Sequence, residues 1–154
     1  MSTFTRSIRG GITTRRPVQT VALVVGLAFL AVGVLGFIPG ITTHQGQMSF
    51  AGHSSRAQLL GIFEVSVLHN LVHLLFGVAG VALARTPGGA SSYLVGGGLI
   101  YLVLWLYGLV IDKASSVNFV PLDNADDWLH FVLGAFMVVA GVLLGRRTRN
   151  GLLG

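Results

Sequence analysis

Three apolar runs along the chain are long enough to cross a lipid bilayer. Residues 18–38 carry no charge and end at Pro39 and Gly40, residues 94–111 are uninterrupted, and residues 128–144 contain one ionisable side chain, His130. A membrane-spanning helix needs about 20 predominantly apolar residues. Backbone polar groups in lipid must be paired within the segment, so each run is predicted to be helical.

A fourth run, residues 59–84, is apolar only in its second half. Its first half carries polar side chains, namely Glu64, Ser66, His69, Asn70 and His73. The pattern predicts an all-α polytopic membrane protein with four transmembrane helices. We place the transmembrane domain at residues 18–145, between basic tails at residues 1–17 and 146–154.

Composition supports a membrane protein. Of the 154 residues, 53% are hydrophobic and only 10% are charged, whereas soluble domains carry about 25% charged residues. The chain has no cysteine, which excludes disulfides and thiolate metal sites. The net charge of +5 does not indicate nucleic-acid binding, because the basic residues lie at the ends of apolar runs.

The distribution of basic residues predicts the orientation. Lys and Arg are enriched on the cytoplasmic side of membrane proteins. With four crossings, eight of the ten basic residues share one side: Arg6, Arg9, Arg15, Arg16, Arg85, Arg146, Arg147 and Arg149. We therefore expect both ends to be cytoplasmic, in a bacterial inner membrane, with the first helix retained as an anchor.

The second half of the chain echoes the first. His73 and Gly77 have the same spacing as His130 and Gly134. The spacing of Gly26, Phe29 and Gly36 in the first half also recurs in the second half, at Gly98, Tyr101 and Gly108. Both units would begin on the same side of the membrane. The sequence thus favours two duplicated helical hairpins, related by an axis along the membrane normal.

Glycines fall on single faces of the predicted helices. Small residues let membrane helices approach closely, although glycine is also generally more frequent in such helices. Candidate helix-packing positions are Gly26, Gly33, Gly77, Gly134, Gly141 and Gly145.

Histidines form the main cluster of candidate chemistry. His69 and His73 lie one turn apart on one helix face, and the repeat places Asp126 and His130 at a similar depth. The favoured interpretation is a structural hydrogen-bond network between the repeats. Three alternatives remain open: a b-type haem held by His73 and His130, a divalent metal held by His69, His73, Asp126 and His130, and a proton or solute path.

Several stretches also resemble a known family. Residues 60–63, 67–80, 101–113 and 118–130 are similar to motifs of small bacterial four-helix membrane proteins that share a domain of unknown function. The resemblance covers about residues 18–145. It implies four spans and a bacterial inner membrane, and it implies no activity.

These observations predict an accessory or scaffolding protein that is not an enzyme and needs no cofactor. Its expected partners are the bilayer and either a larger membrane complex or further copies of itself, and no nucleic acid is expected. Residues 39–58 form a connection longer than the turn needs, which makes it the candidate partner-binding segment. The alternatives are an electron-transfer protein using haem or metal, and a small transporter or proton-conducting protein.

Overall fold

The computed structural model describes residues 15–150, and it describes the side chains of residues 15–146. Arg6 and Arg9 of the predicted amino-terminal tail lie outside the described residues, and Arg147 and Arg149 of the carboxyl-terminal tail lie outside the described side chains. The described chain is dominated by four helices: α1 Pro17–Leu35, α2 Val67–Leu83, α3 Pro87–Val110 and α4 Asn124–Asn150. Three of them, α1, α3 and residues 124–146 of α4, are long and apolar enough to cross a membrane, and α2 is a shorter apolar helix.

Helix α2 begins at Val67, so the predicted start at residue 59 was wrong. Ser66 caps the helix, and its side chain accepts a hydrogen bond from the His69 backbone N–H at 3.1 Å. Before it, Leu60 and Gly61 have positive φ angles of 56° and 70°, which a helix does not tolerate. The chain therefore reverses at these two residues, and only the second part of the predicted span is helical.

Helices α3 and α4 begin earlier than predicted. Pro87 occupies the first turn of α3, where its missing N–H costs nothing, and the Thr86 side chain accepts from the Gly89 N–H at 3.1 Å. At the start of α4, Asp123 and Asp126 bond reciprocally to each other's backbone N–H, at 2.8 and 3.2 Å. This capping box satisfies two N–H groups that a helix start leaves unpaired.

The long connection between α1 and α2 is a folded segment, residues 36–66, which we call the loop cap. It contains a 3-10 turn, Gln45–Gln47, and three short antiparallel strands in sequential order: β1 Thr42–Thr43, β2 Gln58–Leu59 and β3 Phe63–Glu64. Its apolar centre, Ala57, Leu59 and Val65, packs on the end of α1 at Val32 and Leu35. The loop cap therefore covers one end of the helices.

The helices pack as two antiparallel pairs, α1 with α2 and α3 with α4. The two pairs meet where the rings of Phe29 and Tyr101 lie 5.4 Å apart. Corresponding positions are buried in both pairs. In α2 these are His69, Asn70, His73, Gly77 and Gly80, and in α4 they are Asp126, Asp127, His130, Gly134 and Met137. Every polar side chain of this set lies in the half of the bundle next to the loop cap.

Candidate functional site

A cavity of about 330 Å³ lies beneath the loop cap, between α1 and α4. Its wall is mainly apolar and comes from five parts of the chain: the four helices and the loop cap. The lining residues are Val24, Val25, Ala28, Phe29, Val32, Leu59, Leu60, Phe63, Val65, His69, His73, Tyr101, Asp126, Leu129, His130 and Leu133. Ligand pockets typically have volumes of about 300–1,000 Å³ and a few polar groups within an apolar wall. The cavity has both properties.

Three imidazoles are among the polar side chains that line the cavity. His69, His73 and His130 are 7%, 9% and 4% exposed, so all three are withdrawn from water. The rings of His69 and His73 are 4.5 Å apart. Phe29 stacks on the ring of His73 at 5.5 Å, and Tyr101 contacts the ring of His130 edge-on at 4.9 Å. Ring packing therefore fixes the orientation of His73 and His130.

The hydrogen-bonding capacity of these imidazoles is incompletely used. The Nδ1 atoms of His69, His73 and His130 are fully buried and have no hydrogen-bond partner among the residues that the structure describes. His69 does bond to the backbone of Pro121. Buried polar groups are normally paired, and each exception calls for an explanation, such as strain, a catalytic role or a bound water or ion. The network predicted among these histidines is thus only partly present.

Asp126 has a structural use. Its side chain closes the capping box at the start of α4, and it contributes to one edge of the cavity. Among the described residues, no group of three or more histidine and carboxylate side chains is arranged to hold a metal ion. The predicted metal set, His69, His73, Asp126 and His130, lines one cavity, and one carboxylate oxygen of Asp126 is already used in the capping box. The metal hypothesis stays a prediction.

His73 and His130, the two candidate haem ligands, line the same cavity from α2 and α4. The haem hypothesis requires both rings to direct a nitrogen at one central position. Two aromatic side chains, Phe29 and Tyr101, lie against these rings and contact each other. The hypothesis stays a prediction that an absorption spectrum of the purified protein can test.

Charged groups surround the site at the loop-cap end. Lys113 forms an ion pair with Asp127 at 2.5 Å, and the Asp127 side chain is only 5% exposed. In β3, burial raises the pKa of Glu64 to about 7, and the nearby Asp123 adds to the shift. One oxygen of Glu64 is buried without a partner among the described residues. This end of the bundle therefore holds more buried polar groups than a purely structural core requires.

The candidate packing glycines lie at close contacts within the chain. A methyl group on Gly26 would lie 2.9 Å from the Val81 backbone, one on Gly33 2.8 Å from Leu74, and one on Gly134 2.9 Å from the Gly98 carbonyl. Gly77, Gly141 and Gly145 face Leu30, Leu94 and Ser91 in the same way. Each of the six thus faces a neighbouring helix of the same chain.

The apolar wall was missed by sequence reasoning. Val24, Ala28, Leu129 and Leu133 line the cavity, but each belongs to a uniformly apolar run. In a membrane helix, residues that face lipid and residues that face a cavity are equally apolar. Only the polar side chains carried a signal in the sequence.

Comparison with known proteins identifies a family for this chain. The model of a family described as a domain of unknown function (DUF4383) matches residues 19–143. No curated protein matches the chain, and no solved structure matches it. The matched region contains α2, α3, the loop cap and the residues that line the cavity, together with most of α1 and α4.

Proposed function

The chain belongs to the DUF4383 family, a domain of unknown function, and we propose that it is a four-span membrane protein that binds a lipid-soluble molecule in the cavity beneath its loop cap. The observation that carries this proposal is the cavity itself. Its walls are apolar, and its polar surface includes three imidazoles that are each more than nine-tenths buried. Binding, and no catalysis, is the proposed role.

Three long apolar helices and a shorter fourth support the proposal of four crossings. At 1.5 Å per residue, the 17 residues of α2 span about 25 Å, close to the hydrocarbon thickness of about 30 Å. With the basic residues distributed as in the sequence, we propose that both ends lie in the cytoplasm. The loop cap and the cavity would then lie toward the outer face of a bacterial inner membrane.

Interhelical contacts support the proposal that the two hairpins are duplicates. The Gln19 side chain donates to the Ala84 carbonyl at 3.1 Å, and the corresponding Ser91 donates to the Gly141 carbonyl at 2.9 Å. These bonds lie at the same place in the two pairs, although the donor residues differ. Hydrogen bonds at matched positions support the duplication more strongly than similar apolar composition alone.

Packing contacts repeat in the same register. A methyl group on Gly77 would lie 2.5 Å from the Leu30 side chain, and one on Gly134 would lie 3.1 Å from the corresponding Leu102. The ring pair Phe29–His73 recurs as Tyr101–His130. A register slip of one residue would turn a helix face by about 100° and abolish all of these correspondences.

The binding proposal is tested by filling the cavity. Leu133→Phe places a larger side chain in its wall, whereas Leu143→Phe makes the same change on the same helix at a position that is 55% exposed. Both variants and the parent protein are purified from cells in mild detergent, and their bound small molecules are quantified by mass spectrometry. We expect the parent and Leu143→Phe to retain a lipid-soluble molecule near one equivalent and Leu133→Phe to lose it.

Equal amounts in all three proteins would contradict the proposal. The same samples test the haem alternative, because a haem ligated by His73 and His130 would give an intense violet absorption band that either His→Ala variant abolishes. A colourless parent protein is the result we expect.

An accessory role is the second candidate, and one observation favours it. The loop cap and the neighbouring α3–α4 connection expose large apolar side chains at one end of the bundle: Phe50, Leu60, Ile62 and Phe119, each more than half exposed. Such a patch is typical of a contact with another membrane protein. A photo-crosslinking residue at Phe50 should then capture one defined partner, and one at Thr86, at the opposite end, should not.

A further inference from the structure

The cavity reaches the outer surface of the bundle sideways. Three of its lining residues, Val24, Leu60 and Leu129, are 60%, 64% and 44% exposed. Val24 belongs to α1 and Leu129 to α4, so the opening lies between these two helices. In a bilayer this surface faces lipid, because both helices are apolar and long enough to span it. A ligand can therefore enter from the membrane without passing through water.

The place that corresponds to this opening in the described part of the other half of the bundle, between α2 and α3, is occupied by a larger side chain. The position that corresponds to Leu133 in the first hairpin is Phe76. Its ring packs edge-on against Phe29 and Tyr101 at 5.7 and 6.0 Å, and it also lies 3.4 Å from where a methyl group on Gly97 would be. The bulkier side chain thus fills, between α2 and α3, the space that Leu133 leaves open between α1 and α4.

The buried ring nitrogens determine what the imidazoles offer to a ligand. Nδ1 of His73 and Nδ1 of His130 are enclosed by protein without a partner among the described residues. An orphaned buried N–H is rarer in proteins than an acceptor with unused capacity, so the proton belongs on Nε2. His69 follows the same pattern, since the Pro121 backbone can only accept and Nδ1 of His69 is unpartnered.

With Nδ1 enclosed, Nε2 is the nitrogen that His73 and His130 can present to the cavity, and we infer that it carries the proton in both. Two N–H donors, one from each hairpin, lie within an apolar wall and have no acceptor among the described residues. A donor withdrawn from water without an acceptor is costly. The complementary ligand has an apolar body and carries hydrogen-bond acceptors that are not themselves donors.

We propose that the cavity binds a membrane-soluble molecule whose carbonyl oxygens accept hydrogen bonds from His73 and His130. This inference rests on the proposed function and adds the chemical class of the ligand and its route between α1 and α4. Carbonyl groups on an apolar body occur in quinones with hydrocarbon chains and in fatty esters. Both classes of molecule carry the carbonyl group that the imidazoles would recognise, and only the quinones also carry a flat ring.

The test uses the full-length protein in detergent micelles free of added lipid. A decyl-substituted benzoquinone is the first probe, and its binding is followed through quenching of the two tryptophans, Trp105 and Trp128. Leu133→Phe should weaken binding at least tenfold, and the matched control Leu143→Phe should leave it unchanged. This comparison separates binding in the cavity from partition into the micelle.

Donor variants test the recognised group. His130→Phe removes one N–H and should weaken binding about 3- to 10-fold, the size expected for one hydrogen bond. His130→Gln keeps an amide donor and should restore most of the affinity. The circular dichroism spectrum of each variant is recorded to confirm that its helices are intact. Equal affinity of the parent protein and a folded His130→Phe would overturn the assignment.

Competing ligands complete the experiment. Decylbenzene has the same chain and no carbonyl, and we expect it to compete at least tenfold more weakly than the quinone. Methyl palmitate distinguishes the two classes: competition equal to that of the quinone identifies fatty esters as ligands, and weaker competition identifies quinones. If decylbenzene competes as well as the quinone, carbonyl recognition is wrong and binding in the cavity stands. If no probe shows a difference between the parent protein and Leu133→Phe, the proposed function itself fails.

Discussion

Gly98 on α3 is the position where the helix packing can be tested most sharply. A methyl group there would lie 2.7 Å from the Gly134 carbonyl oxygen and 2.9 Å from the Val138 backbone nitrogen. Real Cβ atoms do not approach backbone atoms this closely, so α3 and α4 would have to separate by several tenths of an ångström. Overpacking of this kind typically costs about 1–3 kcal/mol.

Gly96 supplies the matched control on the same helix. A methyl group there would meet nothing within 4 Å, and alanine is favoured over glycine in a helix interior by up to about 1 kcal/mol. Gly98→Ala should therefore be less stable than Gly96→Ala by about 1–3 kcal/mol, the overpacking cost, because both variants gain the same helix propensity. Gly26→Ala, at the corresponding position of α1, should behave like Gly98→Ala.

The assay is unfolding in mixed micelles, with helix content followed by circular dichroism as the fraction of denaturing detergent is raised. Parent protein and the three variants are compared under one set of conditions. Gly98→Ala as stable as Gly96→Ala would refute the close approach of α3 and α4. If Gly98→Ala is destabilised and Gly26→Ala is not, the equivalence of the two hairpins is refuted.

Two further predictions concern charged groups at the loop-cap end. Lys113→Met leaves the Asp127 carboxylate buried without its partner and should lower the free energy of unfolding by about 3–5 kcal/mol at neutral pH. Adding Asp127→Asn, which copies Asn70 of the first hairpin, should recover most of the lost stability. A double variant as unstable as the single one would count against the ion pair. Burial raises the pKa of Glu64 from 4.5 to about 7. The contribution of this group to stability is therefore fully present below pH 4.5, and it is lost as the pH rises through the pKa of Glu64 in the folded protein. The unfolding midpoint of the parent protein should fall over this window relative to that of Glu64→Gln, and parallel profiles would show that Glu64 titrates normally.

Much of the helical framework could be predicted from the sequence, because its physical basis is local. Length and apolarity alone identify α1, α3 and α4, and the spacing of His69 and His73 places them on one face. The loop cap could not be predicted, since residues 59–63 are as apolar as a helix and the turn at Leu60 and Gly61 depends on packing against the end of α1.

The polar half of the site could be predicted, and the apolar half could not. His73 and His130 stand out in their runs because ionisable side chains are costly in lipid. The difference between Leu133 and Phe76, on which the opening between α1 and α4 depends, is a difference in size between two apolar residues. Its meaning becomes visible only when Phe29 and Tyr101 are placed beside them in three dimensions.

The four-crossing topology is the claim on which the position of the cavity depends, and cysteine labelling tests it directly. The chain has no native cysteine, so single cysteines can be introduced at exposed positions, at Ser54 in the loop cap, Thr86 between α2 and α3, and Ser116 between α3 and α4. A membrane-impermeant maleimide is applied to intact and permeabilised cells. The account predicts that Ser54→Cys and Ser116→Cys are labelled in intact cells and Thr86→Cys only after permeabilisation. Labelling of Thr86→Cys in intact cells together with Ser54→Cys would show that α2 does not cross the membrane and would contradict the account.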